Sequence, residues 1–138
     1  LIIGEHTAER IKIELGTAQK VDDPQTMEVR GRDVASGMPK QIETNENEIA
    51  DALHDTLEQI VRASVAVLET VPPELASDII DRGIMLTGGT AMLHGIDKLF
   101  SDRLKVPVVV SQDPLDNVAK GAGELLERMQ SDSGKNRK

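Results

Sequence analysis

The chain has 138 residues, 38% hydrophobic and 29% charged, with 24 acidic against 16 basic side chains, which suits one ordinary domain or a large part of a bigger one. A net charge of −8 and a single aromatic, Phe100, remove both the electrostatic footprint and the stacking platform of a nucleic-acid binder. No apolar run is long enough to span a bilayer, LIIGEHTAERIK lacks the form of a secretory leader, and the absence of cysteine excludes disulfides, thiolate metal sites and a cysteine nucleophile.

Residues 1–3 are an apolar lead-in with no partner legible in the sequence, as if the chain began inside an element. Ala8, Ile11 and Leu15 recur at helical spacing and predict a helix over 5–15, with Gly16 at the C′ position. Residues 17–26 read as a polar loop. Residues 27–30 and 40–44 read as the strands of a small hairpin, with Met27, Val29 and Ile42 on one buried face. Asn45 and Glu48 give a capping-box-like start to the strongest helix, about 46–70, whose apolar stripe includes Ile49, Leu53, Leu57, Ile60 and Val61. Val71, Pro72 and Pro73 stop it, and Pro73 opens a short helix over 74–81 that Gly83 ends.

A short strand at 84–87 then runs into Gly88-Gly89-Thr90. A helical region over 91–104, interrupted near Gly95, leads to a second strand at 106–110 and a helix at 116–129. Residues 131–138 read as a disordered tail. The alternation of helix and strand in the second half predicts an α/β layer, although two strands are few for a sheet.

Two places invite chemistry. A strand that ends in Gly88 and Gly89 and enters a helix lets another group approach the backbone, and free N–H groups then face it; a plain tight connection has the same sequence. Glu9 and Lys12 share a helix face, where the carboxylate suits ribose hydroxyls and the lysine stem suits a purine ring, but an exposed ion pair has the same spacing. His6, His54 and His94 lack metal-ligand spacing. Glu43, Glu46 and Glu48 read as a solvated helix start, and Arg30, Arg32 and Lys40 as a solvated basic cluster.

LIIGEHTAERIK (1–12), EVRGRD (28–33) with GMP (37–39), PPELASDIIDRG (72–83), LTGG (86–89), VPVV (106–109) and DPL (113–115) follow in one order. In that order they resemble the bacterial actin homologues of the MreB/Mbl family, the rod-shape-determining proteins. The resemblance implies an actin-like α/β ATPase fold of which this chain is the C-terminal portion. Residues 1–47 would form a small subdomain and 48–130 part of a larger one, whose other strands precede Leu1. It further implies that Glu9, Arg10, Ile11 and Lys12 match the helix touching the base and ribose of ATP, and that Gly88, Gly89, Thr90 and Ala91 match the adenosine-side glycine turn. Thr90 departs from the family's usual third glycine; its hydroxyl is suited to cap the next helix. Asn117 stands where the family often has cysteine.

The phosphate loops, the magnesium-binding aspartate and the membrane-attachment segment belong, by the same resemblance, to the part before Leu1. This chain alone would then not hydrolyse ATP. The whole protein would be a weak ATPase forming cytoplasmic, membrane-associated filaments. Its partners would be further copies of itself, membrane anchor proteins and the cell-wall elongation machinery. A small-molecule kinase or chaperone-type ATPase on the same superfold, or a docking domain, are the alternatives.

Overall fold

The computed structural model describes the backbone of residues 1–135 and the side chains of residues 1–129. The chain order is α1 (Glu5–Leu15), β1 (Thr26–Arg32), β2 (Pro39–Asn45), α2 (Glu46–Glu69), α3 (Pro73–Arg82), β3 (Ile84–Leu86), a 3-10 turn (Gly89–Met92), α4 (Ile96–Leu104), β4 (Val108–Val110) and α5 (Asn117–Lys135).

The hairpin forms as the sequence predicts, antiparallel with Val29 opposite Ile42 and Met27 opposite Thr44. Its turn is set by Asp33, whose carboxylate accepts from the Ser36 N–H and hydroxyl. Only part of the expected apolar face is covered: Val29 is 2% exposed, whereas Ile42 is 38% exposed. The lead-in does have a partner. The Ile2 N–H donates to the Arg32 carbonyl at 2.7 Å and the Ile2 carbonyl accepts the Arg32 N–H at 2.9 Å, so Ile2 forms an antiparallel bridge to the end of β1.

The hairpin feeds directly into α2. Asn45 caps that helix by accepting from the Glu48 N–H at 3.1 Å. The capping box is half made, because the Glu48 carboxylate takes the Thr44 hydroxyl at 2.7 Å instead of reaching back to Asn45. The Glu46 carboxylate accepts from the Gln25 N–H, so this acidic cluster organises the turn into the helix and is more than a solvated face.

The main core joins the middle of α2 to α4 and β4. Leu57, Val61, Ile96, Phe100 and Val108 are all buried there. Outside it, the Glu58 carboxylate of α2 accepts from both terminal nitrogens, Nη1 and Nη2, of Arg103 on α4, which pins the two helices at their surface. β3 and β4 pair in parallel, Ile84 opposite Val108 and Leu86 opposite Val110. Among the described residues they make a two-stranded sheet. One face of it carries Met85 and Val109, which sit opposite each other and are 67% and 51% exposed. The expected tail is corrected in part. With no proline to stop it, α5 runs on to Lys135, and residues 136–138 lie outside the described residues.

A second connection ties the α1 end of the chain to the loop before α4. The Ala18 N–H donates to the His94 carbonyl at 2.8 Å. The Thr17 hydroxyl, on a residue 1% exposed, donates to the Gln19 carbonyl at 2.8 Å and faces the His94 carbonyl at 3.4 Å.

Candidate functional site

The last two turns of α1, the middle of α2 and the 3-10 turn after β3 enclose a cavity of about 480 Å³, within the range of roughly 300–1,000 Å³ usual for small-ligand sites. Its floor is apolar, made by Leu53, Leu57 and Ile60 of α2 with Leu93 and Leu115. Its polar edge is Glu9 and Lys12 on one side and Gly89 and Thr90 on the other. The two candidates that the sequence presented 77 or more positions apart therefore face one space.

Glu9 and Lys12 come together because they are one helical turn apart. The ammonium meets the carboxylate at 2.6 Å, with both side chains about half exposed. The pair is the surface ion pair its spacing allows, worth about 0.2–0.5 kcal/mol, and it also forms the rim. Across the cavity, Gly88 adopts φ 90° and ψ 171°, a conformation open essentially to glycine alone. Gly89 follows as the start of the 3-10 turn; a Cβ placed there would meet only Leu115 Cδ2, at 3.6 Å. The backbone is therefore bare on the side that faces the cavity.

The other expected site residues lie elsewhere. Arg10 points away from the cavity, lines a small polar recess with Thr7, Glu28 and Arg30, and reaches Glu14 at 4.0 Å. Ile11 and Ala91 are buried, 7% and 5% exposed, and hold their elements in place. Gly88 shapes the corner without lining the cavity. Thr90 does not cap the next helix. It sits inside the 3-10 turn, and α4 starts from Gly95, at φ 72°, with no side-chain cap.

The sequence reading missed the floor. Leu53, Leu57 and Ile60 appeared only as one stripe of α2, and the 40% exposure of Ile60 shows that part of that stripe faces the cavity and not the core. Leu115 arrives from the loop after β4, where DPL (113–115) pointed to the family but not to a place on the cavity wall.

An apolar floor with one carboxylate and one ammonium at the rim suits a flat, weakly polar ring attached to a hydroxyl-bearing group, as in a nucleoside. Among the described residues Lys12 is the one cation lining this cavity, and Glu9 already pairs with it, so the residues present fit a base and ribose and not a row of phosphates. Among the described residues no group of three His, Asp or Glu side chains is placed to hold a metal ion.

A family model described as "MreB/Mbl protein" matches residues 1–134. The cell shape-determining protein Mbl of Bacillus subtilis is 47% identical over 129 residues, 94% of this chain and 39% of that protein. The cell shape-determining protein MreB of Escherichia coli K12 is 49% identical over 133 residues, 96% of this chain and 38% of that protein. The crystal structure of MreB5 of Spiroplasma citri bound to AMPPNP superimposes with a TM-score of 0.92 at 32% identity, covering 99% of this chain and 41% of that one. A MamK mutant bound to AMPPNP, at 19% identity and a TM-score of 0.66, shares the fold. The chain thus spans about two-fifths of the length of the relatives it matches, its fold is an actin-like α/β fold, and it belongs to the MreB/Mbl family.

Proposed function

We propose that this chain forms the adenosine-facing wall of an ATP site in a longer actin-like protein, one that polymerises and through its filaments directs cell-wall synthesis and rod shape. The observation that carries the reading is the meeting of Glu9 and Lys12 with Gly89 and Thr90 around one apolar cavity. The relatives support it, since Mbl of Bacillus subtilis and MreB of Escherichia coli are cell shape-determining proteins and the MreB5 structures hold AMPPNP or ADP.

In this reading the Glu9 carboxylate accepts from ribose hydroxyls and the Lys12 stem lies along the base. The bare backbone at Gly89 lets the ring come close. Residues 1–47 act as the small subdomain and 48–130 as part of the larger one. Phosphates and magnesium are held by residues N-terminal to this chain, so the chain alone binds weakly and hydrolyses nothing. Nucleotide then biases the whole protein toward a polymerising state only through contacts that differ between its two conformations. The protein works in the cytoplasm on membrane-associated filaments, with further copies of itself, membrane anchor proteins and the cell-wall elongation machinery as partners.

The test is full-length protein with ATP, followed by pelleting and electron microscopy, beside the Glu9→Ala, Lys12→Ala double variant. Wild-type polymers and loss of ATP binding in the variant are expected. No polymers at any concentration would refute the filament reading, and unchanged ATP affinity in the variant would refute the site.

A further inference from the structure

The Gly88–Gly89 corner is held from behind by a small polar network outside the cavity lining. Asn117, the first residue of α5, donates from its amide nitrogen to the Thr87 hydroxyl at 3.0 Å and to the Ser111 hydroxyl at 2.6 Å. Thr87 passes its own proton to the Pro114 carbonyl at 3.0 Å. That same carbonyl accepts the Gly88 N–H at 2.7 Å. Leu115 follows Pro114 in the chain and faces Gly89 at the cavity wall. The ends of β3 and β4 and the start of α5 thus meet at one side chain, behind the Gly89 side of the cavity.

The direction of the bonds matters. A carboxamide has two N–H groups, one for each hydroxyl, and a threonine hydroxyl has one proton to give. Because Thr87 receives from Asn117, its proton is free for Pro114, and Pro114 then braces Gly88 in a conformation open essentially to glycine alone.

We propose that Asn117 is a positioning residue for the base-facing wall: through Thr87 and Pro114 it fixes the Gly88–Gly89 corner and Leu115 relative to each other, and so sets the fit of a purine ring. The inference rests on the adenosine reading of the cavity. It separates positioning from stability by a sign. Asn117→Asp places a carboxylate in the first turn of α5, where negative charge stabilises a helix. It also removes both N–H groups, so the Thr87 proton turns to the carboxylate and leaves Pro114. Asn117→Ala removes the tether but lets Thr87 keep its bond to Pro114.

The experiment uses full-length protein and two readouts, ATP affinity and the melting temperature without nucleotide. Asn117→Asp is expected to weaken ATP binding about tenfold and Asn117→Ala about threefold, the range of one or two lost hydrogen bonds. The melting temperature of Asn117→Asp is expected to equal or exceed that of the wild type. Thr87→Val should weaken ATP binding and add little to Asn117→Asp, since both break one chain of bonds. ATP affinity within twofold of wild type in Asn117→Asp overturns the inference. So does a loss that is equal in both Asn117 variants and follows a lowered melting temperature. If Gly89→Val also leaves ATP affinity unchanged, the adenosine reading itself has failed; if Gly89→Val abolishes binding while Asn117→Asp does not change it, only the role of Asn117 has.

Discussion

Adding one methyl group at Gly16 should unsettle the α1 side of the cavity. Gly16 has φ −66° and ψ 121°, extended backbone that any residue adopts, so alanine meets no conformational penalty there. The obstacle is space. A Cβ would lie 2.1 Å from the Lys12 carbonyl oxygen and 2.7 Å from Leu93 Cδ1. The Leu93 tip can rotate aside, but the carbonyl is fixed because it accepts the Gly16 N–H at 3.0 Å. Even favourable carbon–oxygen contacts sit at about 3.3–3.6 Å, so the last turn of α1 must open by more than an ångström. Thr17, 1% exposed and bonded on both sides of the junction, leaves little room for that movement. Overpacking costs about 1–3 kcal/mol and the strained hydrogen bond about 1 more. At roughly 2–8 °C per kcal/mol for domains near this size, the melting temperature should fall by about 10 °C. Circular dichroism melts measure it, with Gly121→Ala as the control, since a Cβ there meets nothing within 4 Å. A Gly16→Ala melt within about 2 °C of wild type would refute the close-approach argument.

Other consequences are as direct. Gly89→Val should fold nearly normally, because the new Cβ finds only an ordinary contact with Leu115, but its methyls intrude on the ring site and ATP affinity in the full-length protein should drop about tenfold or more; calorimetry decides. Phe100→Ala, at the one aromatic and a buried core position, should cost about 3–5 kcal/mol in denaturant unfolding, and Phe100→Leu clearly less. Glu58 titrates below its ordinary value of 4.5 because Arg103 donates hydrogen bonds to it and lies close in charge. A depressed folded pKa gives stability that is present above 4.5 and lost as the pH falls through the folded value. Glu58→Gln should therefore lower the melting temperature at neutral pH and flatten its decline below pH 4.5; equal pH profiles for variant and wild type would remove this pair from the acid response.

Where the physics is local, the sequence was readable. Asn45 caps α2 because an extended residue with a short acceptor can reach the N–H three positions on, which needs no knowledge of the rest of the chain. The hairpin followed from two β-rich runs either side of a Gly- and Ser-containing turn. Closure across long separations was not readable. Ile2 pairs with Arg32, the wall of the cavity needs Leu115 beside Gly89, and neither follows from periodicity. Gly16 shows the difference within one residue. Its place after a helix suited a C′ glycine, whereas the structure holds it in extended backbone and uses it for the contact that a side chain would forbid. Glu9, Lys12, Gly89 and Thr90 were legible as isolated candidates, but spacing alone supplied no reason for them to meet. Thr90 misled for the same reason: a hydroxyl ahead of a helix looks like a cap until the 3-10 turn intervenes.

The bond from the Ala18 N–H to the His94 carbonyl has a temporal meaning as well as a spatial one. A chain emerging from the ribosome offers its N-terminal segments first, and closing so long a loop is entropically slow. The α1 arm must wait for the residues beyond α3 before its brace exists. The nucleoside-sized hollow is therefore late to mature, and a nascent chain truncated before residue 94 should hold the helix that bears Glu9 and Lys12 beside α2 without the Ala18–His94 brace or the Leu115 wall that complete this cavity.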